Sequence, residues 1–146
     1  MIHSLLRLKK NEEKRLRRGH LWIFSNEVDT TQTPLSGFAS GDLTDVVDSS
    51  GHPLGTAFIN PHSLICARLL SRKPSLAIGP GFFRDRIRSA LALRQQLFEK
   101  PYYRLVYGES DGLPGVVIDR FDDIFSVQLT TAGMDRRKNE IVAALD

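Results

Sequence analysis

The chain has 146 residues, 41% hydrophobic and 25% charged, which is typical of a folded globular protein with one ordinary domain or two small ones. Its stretches of apolar residues all fall well short of the ~20 that cross a membrane, which excludes a membrane span and predicts a cytoplasmic protein. The single cysteine, Cys66, excludes an intrachain disulfide and a cysteine-based zinc site. Its apolar neighbours predict a buried structural thiol.

The net charge of +3 is concentrated near the N-terminus. The first 20 residues hold seven basic side chains against two acidic ones. A basic patch on a near-neutral remainder is typical of a protein that contacts a polyanion, such as RNA, DNA or an anionic membrane surface. A well-solvated helix face explains the same charges equally well, so charge alone leaves both interpretations open.

The first elements along the chain are predicted as a strand, a short basic helix and a loop. Residues 2–10 are predicted as a strand, and residues 11–19 (NEEKRLRRG) as a helix with Asn11 as its N-cap and Gly19 as its stop. Acidic residues at the start of this helix and basic ones at its end complement the helix dipole. Residues 30–41 are rich in Thr, Ser, Pro and Gly and are predicted as a loop.

From Gly41 the pattern changes to period two and to short apolar runs. Residues 42–48, 54–60 and 64–71 are predicted strands joined by short turns. Strands this close together favour an antiparallel barrel or sandwich of about 70 residues. We therefore expect a first domain over residues 1–72, followed by a Pro- and Gly-rich linker over 73–81.

Residues 82–146 are predicted as an α+β domain. A helix with one apolar face covers 82–100, and further elements follow it: strands at 102–108, 115–121 and 124–131, and a helix from Met134. Because this last helix reaches Asp146 without a cap or a closing strand, we expect the second domain to be incomplete. An incomplete sheet predicts an exposed apolar edge around 125–129, and a homodimer could form through it.

The run VYGESDGLPGVVIDRF, residues 106–121, holds three glycines and several acidic residues and could be a functional loop. A phosphate-binding loop needs a different glycine spacing, a lysine and a following helix, and none of these is present. Acid–base chemistry by Glu109 and Asp111, as in a small hydrolase, stays a minor alternative. Gly112, Pro114 and Gly115 favour a turn that leads into the next strand, with Glu109 or Asp111 bonding the loop's own amides.

The basic helix is the better candidate for function. The candidate RNA-binding residues combine phosphate-neutralising cations with rings on which a base could stack: Lys14, Arg15, Arg17, Arg18, His20 and Trp22. For the arginines we favour contact with nucleic acid. For Trp22 we favour a place in the barrel core, beside Ile23 and Phe24. We assign no catalytic, cofactor-binding or metal-binding residue.

Three stretches, RRGHLWIFSNEV, GDLTDVVDSSGHPLGTAFINPHSLICARLLS and ESDGLPGVVIDRF, resemble in this order the bacterial large-subunit ribosomal RNA methyltransferases that make 5-methylcytosine. That family has an N-terminal RNA-binding PUA β-barrel, a central EEHEE domain and a C-terminal domain that binds S-adenosylmethionine. The resemblance implies a PUA-like domain followed by part of an EEHEE-type domain, with ribosomal RNA as partner. It implies S-adenosylmethionine as cofactor only for a longer parent, in which a cysteine would attack cytosine C6 before methyl transfer to C5.

This resemblance gives Cys66 no catalytic role, because Cys66 lies in a PUA-like strand. We therefore expect the chain to be the RNA-binding portion of an S-adenosylmethionine-dependent 23S ribosomal RNA methyltransferase that does not itself catalyse. A free-standing PUA-type module with a regulatory or ribosome-assembly role remains the alternative.

Overall fold

The chain divides between Leu76 and Ala77 into two compact units, here called the N-terminal unit and the C-terminal unit. The computed structural model describes residues 3–146, so the predicted start of the first strand at Ile2 lies outside the described residues. The division falls within residues 73–81, the predicted linker. The domain limits of 1–72 and 82–146 stay predictions.

The described residues of the N-terminal unit form five strands and one short α-helix. In chain order these are β1 (Ser4–Arg7), α1 (Glu13–Arg17), β2 (Trp22–Phe24), β3 (Asp42–Val47), β4 (Pro53–Ile59) and β5 (Ile65–Ser71). The strands form one sheet in the order β1-β3-β4-β5-β2. The chain just after β2 returns to the end of β1, where Leu8 pairs with Val28 and Lys9 N–H donates to Glu27 O at 2.9 Å. This return brings the two edges together, as the predicted barrel requires.

One strand pairing differs from the predicted antiparallel barrel, because β1 runs parallel to β3. Sequential strands joined by tight turns must be antiparallel, and this holds for β3–β4 and β4–β5. Between β1 and β3, however, the chain passes through α1, β2 and a loop. That crossover is long enough to return the chain in the same direction.

The core of the N-terminal unit comes from all five strands and from α1. Its most buried side chains are at most 2% exposed: Leu6, Leu8, Leu16, Ile23, Val28, Val46, Ala57, Ile59, Cys66, Ala67 and Leu69. Only Leu16 of α1 enters this core. A five-residue helix is unstable alone, so Leu16 and the surrounding tertiary contacts hold α1 in place.

The C-terminal unit contains a long helix, a three-stranded antiparallel sheet and two short helices. Its elements are α2 (Pro80–Leu97), β6 (Tyr102–Tyr107), β7 (Val116–Phe121), β8 (Ile124–Leu129), α3 (Ala132–Asp135) and α4 (Lys138–Ala143). The apolar face of α2 buries Phe83, Ile87 and Ala90. Helix α2 starts two residues before the predicted position because Pro80 suits the first helical turn.

The single helix predicted from Met134 is wrong, because α3 and α4 are separate. Thr131 Oγ1 accepts the Met134 N–H at 3.3 Å and caps α3, so the helical segment begins earlier than predicted. The break falls at Arg137, whose guanidinium donates to Ile78 O and to Glu140 Oε1, both at 3.0 Å. These contacts accompany a non-helical backbone at Arg137.

Strand β8 is an edge strand of its sheet. Within residues 3–146 it pairs with β7 alone, and its side chains alternate between exposed and half-buried, with Ile124 67% exposed. The homodimer predicted through this edge stays a prediction. No helix in the same range is long and apolar enough to cross a membrane.

Candidate nucleic-acid interface

Arg15, on the predicted basic helix, is used within the N-terminal unit. Its guanidinium donates to Glu27 Oε1 at 2.7 Å and to Trp22 O at 3.2 Å, and it lies over the Phe24 ring at 5.1 Å. Glu27 is buried, and its Oε1 also accepts the Phe24 N–H at 2.8 Å. Arg15 therefore joins α1 to the segment after β2, and most of its charge is compensated.

Arg17 is also paired. Its Nη2 lies 2.9 Å from Oδ2 of the buried Asp48, at the turn between β3 and β4. Burial alone would raise the pKa of Asp48. Hydrogen bonds from the backbone N–H groups of His52 and Ser50 and from the His52 imidazole outweigh burial and lower this pKa to about 2. The Asp48 carboxylate is therefore ionised at neutral pH, and it holds both the turn and the Arg17 guanidinium in place.

Lys14, Arg18 and His20 differ from these two arginines. All three side chains are exposed, and in the described part of the chain none of them forms an ion pair. They lie within seven consecutive residues that cover α1 and the turn after it. Their charge and donors are therefore available to a partner, whereas those of Arg15 and Arg17 are largely engaged.

Trp22 lies on the surface rather than in the barrel core, so the core interpretation is wrong for this residue. Its side chain is 40% exposed, while that of Ile23 is 1% exposed and Phe24 is half-buried. Successive residues of a strand point to opposite faces, so Ile23 is the residue of β2 that points into the core. Across the strand pair, the Arg68 guanidinium lies 5.3 Å from the centre of the Trp22 ring. An exposed indole beside a guanidinium is a surface on which a nucleobase can stack.

Two further arginines, Arg68 and Arg72, lie near the candidate RNA-binding residues but were not predicted from the sequence. Arg72 follows β5, and its guanidinium donates to Leu16 O and, at 3.5 Å, to His20 O. It lies more than 50 residues from both acceptors along the chain. A lone arginine at a strand end carries no sequence signal of such a role.

Residues 108–115 of the glycine-rich run form a structural turn that leads into β7, as predicted. Asp111 is held by two hydrogen bonds from Arg94, at 2.6 and 2.9 Å, and accepts the Tyr107 N–H at 2.7 Å. This confirms that one acid of the run bonds the loop's own amides. A carboxylate so fully engaged is unsuited to acid–base chemistry. Gly112 and Gly115 adopt positive φ angles of 72° and 87° before β7.

The described residues do not fit a metal or S-adenosylmethionine site. Within residues 3–146 no group of three or more His, Cys, Asp or Glu side chains could hold a metal ion. The glycine-rich run leads into strand β7 rather than a helix, and a Cβ at Gly112 or Gly115 would collide with Arg86 or Thr131. It therefore offers no cradle for a cofactor. Burial raises the pKa of the Cys66 thiol to about 11, which confirms a structural thiol.

Part of this chain matches a known domain family, and the chain is similar to two curated proteins. Residues 6–72 match the PUA-like domain family. The chain is 41% identical over 142 residues to "Ribosomal RNA large subunit methyltransferase I" of Alteromonas mediterranea, covering 94% of this chain and 35% of that protein. The protein of the same name from Pseudoalteromonas translucida is 40% identical over 145 residues, covering 97% and 36%. The chain thus spans about a third of the length of these relatives.

Two solved structures share the fold. One is a candidate methyltransferase in complex with SAH, with a TM-score of 0.81 and 22% identity over 99% of this chain and 36% of that one. The other is a candidate SAM-dependent methyltransferase from Streptococcus mutans, with a TM-score of 0.80 and 21% identity over 99% and 37%. At this identity the likeness establishes the fold only. The predicted α+β class, with a PUA-like N-terminal part, is confirmed.

Proposed function

We propose that this chain is the RNA-binding portion of an S-adenosylmethionine-dependent methyltransferase that acts on cytosine C5 of large-subunit ribosomal RNA. The support is the 40–41% identity with ribosomal RNA methyltransferases along almost the whole of this chain. Such a protein would work in the cytoplasm, where bacterial ribosomes are assembled. We propose S-adenosylmethionine as the cofactor of a longer protein; the glycine-rich run of this chain leads into a strand and offers no cradle for it.

The observation that carries the RNA-binding role is the state of the basic side chains in the PUA-like unit. Lys14, Arg18 and His20 are exposed cations or donors without an ion-pair partner among residues 3–146. The exposed Trp22 comes two residues after His20, and the half-buried Arg68 places its guanidinium 5.3 Å from the centre of the Trp22 ring. Exposed cations neutralise phosphates, and an aromatic ring beside a guanidinium stacks on bases.

Replacing Lys14 and Arg18 together by Ala is expected to weaken RNA binding about tenfold, because two charge-assisted contacts to phosphate are lost. Neither side chain is part of an ion pair in the described chain, so the fold should be unaffected. The measurement is a fluorescence-anisotropy titration of a labelled hairpin RNA from large-subunit ribosomal RNA at fixed salt.

The matched control is the double variant Lys100→Ala/Lys138→Ala. It removes the same charge from exposed positions of the C-terminal unit and should change affinity by less than about twofold. An equal loss in both double variants, or no RNA binding by the unmodified chain, would refute the proposed interface.

A further inference from the structure

An open depression lies at the C-terminal end of α1. It is lined by residues from the end of α1 and the following turn, from the start of β4, and from the position just after β5. Its lining residues surround a volume of about 430 Å³: Arg17, Arg18, Gly19, Pro53, Leu54 and Arg72. Three guanidinium groups therefore border one small surface feature.

These three guanidinium groups are not equivalent. Arg17 is neutralised by the buried Asp48 at 2.9 Å. Arg72 is turned toward main-chain carbonyl groups, those of Leu16 and His20. Arg18 is exposed, and its side chain forms no ion pair with any residue from 3 to 146. Arg18 is thus the cation of the depression whose donors remain available.

The end of α1 would repel an anion without Arg72. Carbonyl groups at a helix C-terminus point outward and carry partial negative charge. Arg72 donates to Leu16 O, which also accepts the Gly19 N–H at 3.1 Å, and it reaches His20 O. Together with Gly19, whose φ of 111° turns the chain, Arg72 covers these oxygens and fixes the position from which Arg18 projects.

We infer that this depression binds a phosphate group of the RNA backbone, with Arg18 as the contacting cation and Arg72 as the positioning residue that holds the Arg18–His20 turn. This inference rests on the proposed RNA binding and adds a division of labour between the two arginines. Lysine can replace a cation that contacts phosphate as a point charge. It cannot reproduce the planar fork with which an arginine bridges two carbonyl groups.

The test is therefore a pair of charge-preserving variants, Arg18→Lys and Arg72→Lys, titrated with the same hairpin RNA at several salt concentrations. Arg18→Lys should weaken binding less than Arg18→Ala and should keep the salt dependence of the unmodified chain, because the charge stays at the contact while the paired donors of the guanidinium are lost. Arg72→Lys should bind about three- to tenfold more weakly with an unchanged salt dependence, because the turn is displaced while the number of phosphate contacts stays the same. Arg18→Ala should lower the slope of log K against log salt by about one.

Circular dichroism of each variant checks that the unit is folded, and an Arg72→Lys variant that unfolds would be replaced by Arg72→Gln. Equal affinity of Arg72→Lys and the unmodified chain would overturn the positioning role. An Arg18→Ala variant with an unchanged salt slope would overturn the phosphate contact. Either result can occur while the unmodified chain still binds RNA, so it differs from failure of the proposed function, in which the unmodified chain does not bind.

Discussion

Replacing Asp111 by Ala is expected to destabilise the C-terminal unit by roughly 3–5 kcal/mol, because removing one partner of a buried ion pair leaves the other charge uncompensated. The side chains of Arg94 and Asp111 are only 13% and 7% exposed, and their two hydrogen bonds measure 2.6 and 2.9 Å. The substitution also leaves the Tyr107 N–H without its acceptor. The measurement is urea unfolding followed by the near-ultraviolet signal of the tyrosines.

The chain provides its own probes for each unit. All three tyrosines lie in the C-terminal unit and the only tryptophan, Trp22, in the N-terminal one. Asp111→Ala should thus shift the tyrosine transition and leave the tryptophan transition in place. The matched control is Asp119→Ala, which breaks a similar pair with Arg104, whose side chains are 44% and 26% exposed. It should cost less than about 1 kcal/mol. If both variants lose the same free energy of unfolding, burial of the Arg94–Asp111 pair does not account for the effect.

Replacing Gly55 by Ala is expected to destabilise the N-terminal unit by about 3 kcal/mol. Gly55 lies in β4 with a φ of 148°, and a Cβ there would overlap the Ser71 carbonyl oxygen of the neighbouring strand. Neither atom can move without disturbing the pairing of β4 with β5. Unfolding followed by Trp22 fluorescence measures the effect.

Gly37→Ala is the control for this substitution. Gly37 belongs to the same unit, but a Cβ there meets nothing within 4 Å. Its effect should stay within about 0.5–1 kcal/mol. If Gly55→Ala destabilises the unit no more than Gly37→Ala does, β4 and β5 do not approach each other as closely at Gly55 as described.

Local signals in the sequence predicted most strands of the structure. The strands predicted at 42–48, 54–60 and 64–71 agree with β3, β4 and β5 to within one or two residues, because Gly, Pro and Ser turns bound them. The hairpin between β7 and β8 turns at Asp122, whose φ of 60° suits an aspartate. Short-range turn chemistry is sufficient for such elements.

Long-range contacts account for what the sequence did not predict. The parallel pairing of β1 with β3 and the capping of α1 by Arg72 join residues that are distant along the chain. Trp22 belongs to the continuously apolar run LWIF, which gives no alternation from which its outward direction could be predicted. The predicted cluster at residues 14–22 contains the exposed cations, but the sequence could not separate Lys14 and Arg18 from Arg15, whose ion-pair partner is Glu27.

RNA is expected to contact the N-terminal unit at the end of α1 and at Trp22. Ultraviolet cross-linking of the chain to the hairpin RNA, followed by mass spectrometry of the cross-linked peptides, tests this most directly. The expected result is that nucleotides become attached to peptides that contain His20, Trp22 or Arg68. Cross-links confined to residues 77–146 would contradict an RNA interface on the N-terminal unit.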